Sequence, residues 1–362
     1  MSKVILISQV PLPYSKIGSW TTLYQNYLSS NHSIDCIVCE QPDVLFEYIK
    51  YGIVANTFSL KLQKKILKNP YLGYLKALEK MLDKDQKFII QIVDNFGIVK
   101  PLVDFLEKLG TRNKCYIQFF YHGFPPFYGN FQSRWFFEAI NEMVLLTHDS
   151  YIEHKNYYTV LPTRFSVLHN GIDTQKFFPL SQNKKLELKI AKGLATKKVF
   201  VWCSQDRSKK GLHILLDAWK CVFAKRKDIV LWVIGCEPKD PQEGVEYLGR
   251  IPNNDLAAYF QISDCYLFPT LCHEGFGLSL IEALLCGNYC IASALGGVPE
   301  VLQYGKLGKL IENPHFVQDW EYAIEEFLDN PIPKINVPID LYSSKSWNAG
   351  MNAIIDNTQK FF

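Results

Sequence analysis

The chain has 362 residues, the length of two ordinary globular domains, and 48% of them are hydrophobic, enough to fill two cores. Its formal net charge of +3 at pH 7 is far from the strongly basic balance of nucleic-acid-binding proteins, so we expect no nucleic-acid partner. The N-terminal apolar run, residues 4–7, is too short for a secretory signal, and no run approaches the length of a membrane span. We therefore expect a cytoplasmic protein.

The ten cysteines form no recognisable framework. Cys36 and Cys39 make a C-x-x-C, but they lie in a strand-like run, where side chains three positions apart point to opposite faces. No second pair stands nearby to complete a zinc site. We expect buried, reduced thiols and no metal or other cofactor.

Short apolar runs alternate with helix-length segments through the first half of the chain. The predicted strands are residues 4–7, 34–38, 88–93, 115–121, 143–146 and 165–168. The predicted helices between them include residues 21–29, 60–82 and 102–109. Strands that alternate with helices predict a parallel sheet covered on both faces.

One of these helices, within segment 60–80, is basic and amphipathic. Its leucines and isoleucine are interleaved with lysines, and Pro70 interrupts the pattern. The lysines are Lys61, Lys64, Lys65, Lys68, Lys76 and Lys80. Such a helix is either an ordinary solvated face or a peripheral contact with anionic lipid headgroups, which would place the protein at the inner face of a membrane.

A polar segment without strand signal, residues 180–185, is interpreted as an interdomain linker. The alternation then restarts. The second set of predicted strands is 199–203, 229–234, 266–268 and 289–292, and the helices are 211–224, 254–261 and 279–286. The pattern predicts an α/β protein with two doubly wound domains, residues 1–180 and 181–340. Ligands of such sheets bind at the carboxyl ends of the strands, so the cleft between the domains is the expected site.

The most informative stretch follows the third predicted strand of the second domain. Gly275 and Gly277 let the backbone approach a ligand closely, and free N–H groups at the following helix start, near Leu278, suit a phosphate. Glu274 and Glu282 stand eight positions apart and can face the cleft from one wall. Carboxylates accept paired hydrogen bonds from sugar or ribose hydroxyls, although acids near a helix N-terminus also simply suit its dipole.

The string from Glu274 to Glu282 resembles the E-x7-E signature of retaining GT-B glycosyltransferases, glycosyltransferase family four. Three more segments are similar to the family pattern: Gly-Gly-Val-Pro-Glu within residues 293–300, Leu-Gly-Arg-Ile-Pro within 248–256, and Asn-Gly-Ile-Asp with a later Phe-Pro within 168–179. The resemblance covers most of residues 160–330.

The resemblance implies a GT-B fold, in which two Rossmann-like parallel-sheet domains face a central cleft. It implies metal-independent, retaining transfer of a sugar from a nucleotide-diphosphate donor, a UDP- or GDP-sugar, to a hydroxyl. The acceptor would be a glycan or a lipid-linked molecule, in the synthesis of surface polysaccharide or glycoconjugate.

The family also implies roles for individual residues. Glu282 would hold the ribose hydroxyls, Glu274 would bind hydroxyls of the donor sugar, and Arg250 would lie close to the nucleobase. The diphosphate would be supported by backbone of the glycine turn, at Gly275, Phe276, Gly277 and Leu278.

A basic loop follows the first predicted strand of the second domain. Arg207 and Lys210 are suited to stabilise a leaving diphosphate, Arg by its bidentate geometry and Lys as a point charge. Lys210 with Gly211 matches the family's G-R-x-x-x-x-K-G element, whereas Gln205 stands at the usual Arg position. Lys209 is an alternative to Lys210, and the loop could also serve only to cap a helix.

The N-terminal domain departs further from the family. Gly18 is a single glycine where the family often has two, and its backbone is expected near the phosphates. Tyr14 and Trp20 either stack on a sugar ring of the acceptor or belong to the core. His122 follows the fourth predicted strand, where the family has a His facing the donor sugar; a structural His is the other interpretation. Residues 341–362 resemble the family's C-terminal helix, which crosses back to the N-terminal domain.

Three alternatives stay open. Asp83-Lys-Asp85 looks like the D-x-D of a metal-dependent GT-A transferase, although it precedes a predicted strand instead of ending one. A nucleotide-sugar epimerase or hydrolase can use the same fold. A non-catalytic sugar-binding protein shares the two-domain outline but does not need the Glu274 and Glu282 constellation.

Overall fold

The computed structural model describes residues 2–14, 19–237, 241–330, 335–338 and 340–362. The chain divides into two compact units by its internal contacts. Unit 1 comprises Met1–Gly171 and Ser344–Phe362, and unit 2 comprises Ile172–Ser343. Gly18, predicted near the phosphates, lies outside the described residues.

Unit 1 is built on a seven-stranded parallel sheet. Its strands are β1 (Lys3–Ile7), β2 (Cys36–Cys39), β3 (Lys50–Ile53), β4 (Phe88–Val93), β5 (Cys115–Tyr121), β6 (Glu142–Leu145) and β7 (Arg164–Val167). Their order across the sheet is β3-β2-β1-β4-β5-β6-β7. The helices of its first segment are α1 (Ser19–Leu28), α2 (Phe58–Ile66), α3 (Leu72–Glu79), α4 (Phe96–Lys108), α5 (Arg134–Ala139) and α6 (His148–Tyr157).

The sheet of unit 1 is buried on both faces. Successive residues of β4 enter two different hydrophobic clusters, Ile89 on one face and Ile90 on the other, and neither is exposed. Cys36 and Cys39 divide between the same two clusters, which confirms that they point to opposite faces. Burial on both faces explains why these strands read as nearly continuous apolar runs.

Unit 2 has a six-stranded parallel sheet of order β10-β9-β8-β11-β12-β13. The strands are β8 (Lys198–Cys203), β9 (Ile229–Ile234), β10 (Val245–Gly249), β11 (Cys265–Phe268), β12 (Tyr289–Ser293) and β13 (Lys309–Ile311). The helices are α7 (Gln182–Ala191), α8 (Leu212–Lys225), α9 (Leu256–Ile262), α10 (Leu278–Leu285), α11 (Val298–Val301) and α12 (Val317–Asp329). The strand order reverses between β8 and β11, and in doubly wound sheets the crevice at such a switch point is the ligand site.

All ten predicted strands are present, and the three additional strands β3, β10 and β13 lie at the edges of their sheets. These three strands are partly exposed, so they lack the continuous apolar run by which the central strands are recognised. The predicted helix over residues 60–82 is divided into α2 and α3 on either side of Pro70.

The segment predicted as a linker is largely helix α7 of unit 2, and the chain divides between Gly171 and Ile172 instead of at residue 180. The Ser181 side chain accepts a hydrogen bond from the Lys184 N–H at the helix start. The Lys189 ammonium is buried and lies 2.6 Å from the Asp264 carboxylate. Because α7 docks through a buried ion pair, its sequence lacks the long apolar pattern of a helix that packs on a core.

The last helix, α13 (Ser344–Phe361), belongs to unit 1. Its buried Trp347 meets the rings of Tyr24 and Tyr27, each with centroids 5.5 Å away. Farther along, the Thr358 hydroxyl accepts a hydrogen bond from the Gln118 amide at 3.0 Å. In the part of the chain that the structure describes, no helix combines the length and the apolar character that crossing a bilayer requires.

Candidate functional site

The loops after β8 and β11 meet at the switch point of unit 2 and are packed backbone to backbone. Gly211 has φ +70°, and a Cβ added there would lie 1.7 Å from the Pro269 carbonyl oxygen. The Leu271 N–H donates to the Lys209 carbonyl at 2.8 Å. A side chain at position 211 would force these two loops apart, so the glycine fixes their approach.

The β11 loop is held from its other side by the turn after β12. Glu274 and Gly296 form an isolated parallel bridge, and the Gly297 N–H donates to the Glu274 carbonyl at 2.8 Å. Gly296 has φ +68°, and a Cβ there would lie 2.4 Å from the Glu274 carbonyl oxygen. The β11 loop that carries Glu274 is therefore clamped between two glycine-dependent contacts, at Pro269 on one side and at the Glu274 backbone on the other.

The Glu274 carboxylate forms an ion pair with the Lys210 ammonium, and the two side chains are 17% and 20% exposed. The Thr270 hydroxyl donates to the same carboxylate oxygen at 3.0 Å. Lys210 thus carries the charge that the structure brings to Glu274, whereas Lys209 is exposed and contributes its carbonyl. The carboxylate and the ammonium together can bind a hydroxyl-rich ligand that also carries negative charge.

Helix α10 begins directly after this loop. Gly277 occupies its N-cap at φ +83° and supplies no side-chain cap, so N–H groups of the first turn, beginning at Leu278, face the loop without a capping side chain. The preceding Phe276 is 2% exposed and meets the Tyr342 ring with centroids 5.1 Å apart. Gly275 is also buried, which leaves the turn compact and its backbone fixed. Such a helix start suits an anion.

Glu282 lies on the second turn of α10 and is half-buried. Burial raises the pKa of Glu282 to about 7, and the Lys176 ammonium opposes this rise in part. Nearby, the Tyr266 hydroxyl donates to the Cys203 carbonyl at 3.1 Å and lies 2.8 Å from the Ser279 hydroxyl. In its ionised form such a carboxylate can accept hydrogen bonds from hydroxyl groups, for example those of a ribose.

Two further predicted cations of unit 2 lie at the surface. Arg207 is exposed on the Lys210 loop, and its carbonyl accepts the Lys210 N–H at 2.8 Å. Arg250 is exposed immediately after β10, at the carboxyl end of an edge strand. Both therefore lie on loops at the carboxyl end of a strand, without the buried setting of Lys210 and Glu274.

In unit 1, His122 pairs with Asp94, a residue that no motif in the sequence marks. The backbone N–H of His122 donates to Asp94 Oδ1 at 2.8 Å, and the imidazole Nδ1 of His122 lies 3.1 Å from Asp94 Oδ2. Asp94 follows β4 with φ +52°, a backbone conformation that is costly for a residue other than glycine. The only local signal for Asp94 was its place after a buried strand. If Nδ1–H donates to Asp94, the neutral ring keeps Nε2 as an acceptor.

A small apolar pocket opens beside His122. Phe120, Leu146 and Trp347 are among the residues that line it. Trp20 and Tyr14, for which two interpretations were open, pack against the hydrophobic cluster on the same side of the sheet. Their placement favours a core role over stacking on a sugar.

The acidic residues of the D-x-D segment lie apart from the loops described above. Asp83 and Asp85 are exposed in the turn before β4, at the amino edge of the sheet. Within the described ranges, no three His, Cys, Asp or Glu side chains come together as metal ligands would.

The family profile described as glycosyl transferases group 1 matches residues 184–340. D-inositol 3-phosphate glycosyltransferase of Corynebacterium aurimucosum is 27% identical over 222 residues, 55% of this chain and 51% of that protein. Phosphatidyl-myo-inositol mannosyltransferase of Mycobacterium tuberculosis is 30% identical over 114 residues, 29% of this chain and 30% of that protein. The chain thus spans about half the length of the first of these curated relatives and 30% of the second.

Among solved structures, Anabaena HepE in complex with UDP and glucose matches with a TM-score of 0.70 and 15% identity, over 99% of this chain and 100% of that one. Sucrose-phosphate synthase from Thermosynechococcus elongatus matches with a TM-score of 0.67 and 14% identity, over 100% and 98%. At such low identities the likeness establishes the fold, two Rossmann-like parallel-sheet domains of the GT-B type.

The clamp on Glu274 predicts a specific stability difference. Gly296→Ala should lower the free energy of unfolding by about 3 kcal/mol, because its methyl group must displace the Glu274 backbone. Gly193→Ala is the matched control, with φ +69° and no atom within 4 Å of the new methyl group. Its loss should be about 1 kcal/mol, from backbone strain alone. Urea denaturation measures both variants, and equal losses would contradict the clamp.

Proposed function

Residues 184–340 match the glycosyl transferases group 1 profile, and we propose that the chain belongs to this family and is a retaining glycosyltransferase that uses a nucleotide-diphosphate sugar. One observation carries the proposal. At the β8–β11 switch point of unit 2, the Lys210–Glu274 ion pair adjoins the uncapped start of α10 and, one turn further, Glu282. This arrangement offers an ammonium and helix amides for a diphosphate, and carboxylates for the hydroxyls on either side of it.

We assign the donor contacts residue by residue. Glu282 accepts hydrogen bonds from the ribose hydroxyls, and Glu274 accepts those of the donor sugar. Arg207 and Lys210 stabilise the diphosphate, and Arg250 lies close to the base. The backbone support for the phosphates comes from Gly275, Phe276, Gly277 and Leu278. The UDP complex of HepE, which shares the fold, supports a uridine nucleotide as the first donor to test.

The ion pair between Lys210 and Glu274 orients both groups before the donor arrives. Each is largely buried, so neither has to be recruited from solvent. We propose that the diphosphate takes over Lys210 as its counterion, while the sugar hydroxyls take over the Glu274 carboxylate. Charges fixed in advance cost little reorganisation as the leaving group gains negative charge.

The proposed reaction breaks the bond between the anomeric carbon and the diphosphate oxygen and forms one to the acceptor oxygen on the same face. The acceptor proton passes to the departing diphosphate oxygen. No protein nucleophile is assigned, so the chain acts by positioning and electrostatics. His122, oriented by Asp94, is proposed to contact the donor sugar through Nε2.

The acceptor is proposed to be a hydroxyl of a glycan or of a lipid-linked molecule, in the synthesis of surface polysaccharide or glycoconjugate. The phosphatidyl-myo-inositol mannosyltransferase of M. tuberculosis is named for a lipid acceptor, which supports this class. We further propose a cytoplasmic location, and segment 60–80 as the peripheral membrane contact, whose surface is described below.

Nucleotide binding provides the first test. Calorimetric titration with UDP, GDP, ADP, TDP and CMP should show selective binding of one diphosphate. Glu282→Ala should weaken that binding about 10- to 100-fold, because two charge-assisted hydrogen bonds are lost. Glu187→Ala, an exposed glutamate on α7, is the control and should bind as the unaltered chain does. Absence of binding by every nucleotide would overturn the proposed donor site.

The raised pKa of Glu282 gives this test a pH signature. Below pH 7 the group is largely protonated, and the ribose hydroxyls need the ionised form, so binding must release a proton. Affinity should therefore rise with pH up to about 7 and then level off. Glu282→Gln should flatten this part of the profile. Titrations in buffers of different ionisation enthalpy measure the released proton directly.

The stereochemistry and the metal requirement test the reaction itself. Product NMR should show retained anomeric configuration, since departure and attack occur on one face. Turnover should persist in EDTA, because the proposed diphosphate stabilisation comes from Lys210, Arg207 and helix amides. An inverted product would overturn the mechanism, and loss of turnover in EDTA would favour a metal-dependent transferase. Release of free sugar without acceptor glycosylation would identify a hydrolase.

Asp94 is predicted to act through His122. Asp94→Asn keeps an oxygen that can accept from the His122 backbone N–H, but it removes the negative charge that orients the imidazole. We therefore expect kcat to fall about 10- to 100-fold. Nucleotide affinity should not change, since the assigned nucleotide contacts lie in unit 2. Asp104→Asn, at an exposed ion pair on α4, is the control. An unchanged kcat, or a loss matched by a lower melting temperature, would contradict the role.

A further inference from the structure

Helix α2 (Phe58–Ile66) presents its apolar stripe to solvent instead of to the core. Phe58, Leu62 and Ile66 follow one another at four-residue spacing and are 83%, 49% and 68% exposed. Leu60, which is 6% exposed, is the buried residue of the helix and points to the opposite side. A helix of a globular protein ordinarily turns its apolar stripe inward, so this orientation needs a partner.

The stripe is bordered by positive charge. Lys61 and Lys65 flank it on the helix, and Lys68 follows the helix end; all three are exposed. Residues 58–80 contain six lysines and a single acidic residue, Glu79. We name the exposed set Phe58, Leu62, Ile66, Leu67, Lys61, Lys65 and Lys68 the basic apolar surface. Among the residues that the structure describes, no carboxylate pairs with these lysines. Apolar side chains beside such lysines match the interface of an anionic bilayer, where acyl chains and negative headgroups are adjacent.

A second exposed apolar element lies at the start of helix α5 and in the turn before it. Phe131 and Trp135 are 78% and 40% exposed, and the Trp135 ring is 5.9 Å from that of Tyr128. Tyr128 packs on Phe96 at 5.7 Å, in the first turn of α4. Gly97, the residue after Phe96, lies against the side chain of Tyr71, the residue before α3. A Cβ added at Gly97 would lie 2.3 Å from the Tyr71 hydroxyl oxygen.

Tyr71 and Tyr128 therefore both adjoin the start of α4, which follows directly on Asp94. Helix α2 itself begins five residues after the carboxyl end of β3, so the start of the basic apolar surface lies at the carboxyl edge of the unit 1 sheet, the same edge as the Asp94–His122 pair. A bilayer bound there would lie next to the end of the sheet at which ligands bind.

We propose that unit 1 docks on an anionic lipid bilayer through the basic apolar surface, with Phe131 and Trp135 as a second point of insertion. The docking does not depend on the proposed transferase activity. Where that activity holds, docking brings a membrane-borne acceptor to the edge that carries His122, and this consequence rests on the proposed function.

The test is co-sedimentation of the full chain with vesicles of phosphatidylcholine alone, and of phosphatidylcholine mixed with phosphatidylglycerol. The chain should bind the anionic vesicles and only weakly the neutral ones, and added salt should reduce binding. Leu62→Ser with Ile66→Ser should lower the partition coefficient about tenfold or more, because apolar insertion is lost. Lys61→Gln and Lys65→Gln should each lower it about fivefold.

Unit 2 offers a matched control. Leu186 and Ile190 on α7 are 50% and 59% exposed at the same spacing, but the lysines Lys185 and Lys189 on that helix are paired with Asp264. Leu186→Ser with Ile190→Ser should leave vesicle binding unchanged, and nucleotide titration and melting of every variant show that each one is folded.

Equal recovery with neutral and anionic vesicles, or no recovery with either, would overturn the proposal. The proposal would also be overturned if the α2 and α7 variants lost vesicle binding to the same extent. If the α2 variants instead abolish self-association seen by sedimentation without vesicles, the surface binds a second copy of the chain and the lipid proposal fails. Failure here with intact nucleotide binding leaves the proposed donor site untouched.

Discussion

The clamp on the Glu274 backbone is the constraint on which the rest of the unit 2 site depends. Gly211 lets the Lys210 loop touch the β11 loop, and Gly296 supports that loop from behind. Because both contacts fix the backbone, the ammonium of Lys210 and the carboxylate of Glu274 lie within reach of each other and form their ion pair. The site is thus preorganised by backbone contacts, because the two glycines determine where the loops that carry the charged side chains lie.

Glu282 illustrates the cost of such a site. Burial raises its pKa to about 7, so ionising it in the folded chain opposes stability as the pH rises from the ordinary glutamate value toward 7. The sign is opposite to that of a salt-bridged carboxylate, which stabilises when ionised. A residue that destabilises the free protein is nevertheless well suited to a ligand that brings hydroxyl donors, because binding satisfies the charge that burial penalises.

The sequence predicts the central strands of each sheet better than the strands at its edges. Central strands are continuous apolar runs, whereas β3, β10 and β13 lie at edges and carry weaker patterns. The sequence predicts a linker where helix α7 begins, because its docking residue is Lys189, whose burial with Asp264 no hydrophobic pattern reveals. Glu274 and Glu282 could be found because one short stretch holds them both. Asp94 could not, since its partner His122 lies 28 positions away and meets it only through neighbouring strands.

Helix α2 shows a further limit of pattern reasoning. The period of its apolar residues predicts an amphipathic helix, but the pattern is the same whether the stripe faces the core or the solvent. Only the burial of Leu60, on the side opposite Phe58 and Ile66, decides between them. A stripe that faces inward contributes to stability, and its lysines are incidental. A stripe that faces outward contributes nothing to the folded unit, so its apolar side chains and the lysines beside them are best explained together, by a surface that offers both an apolar interior and negative charge.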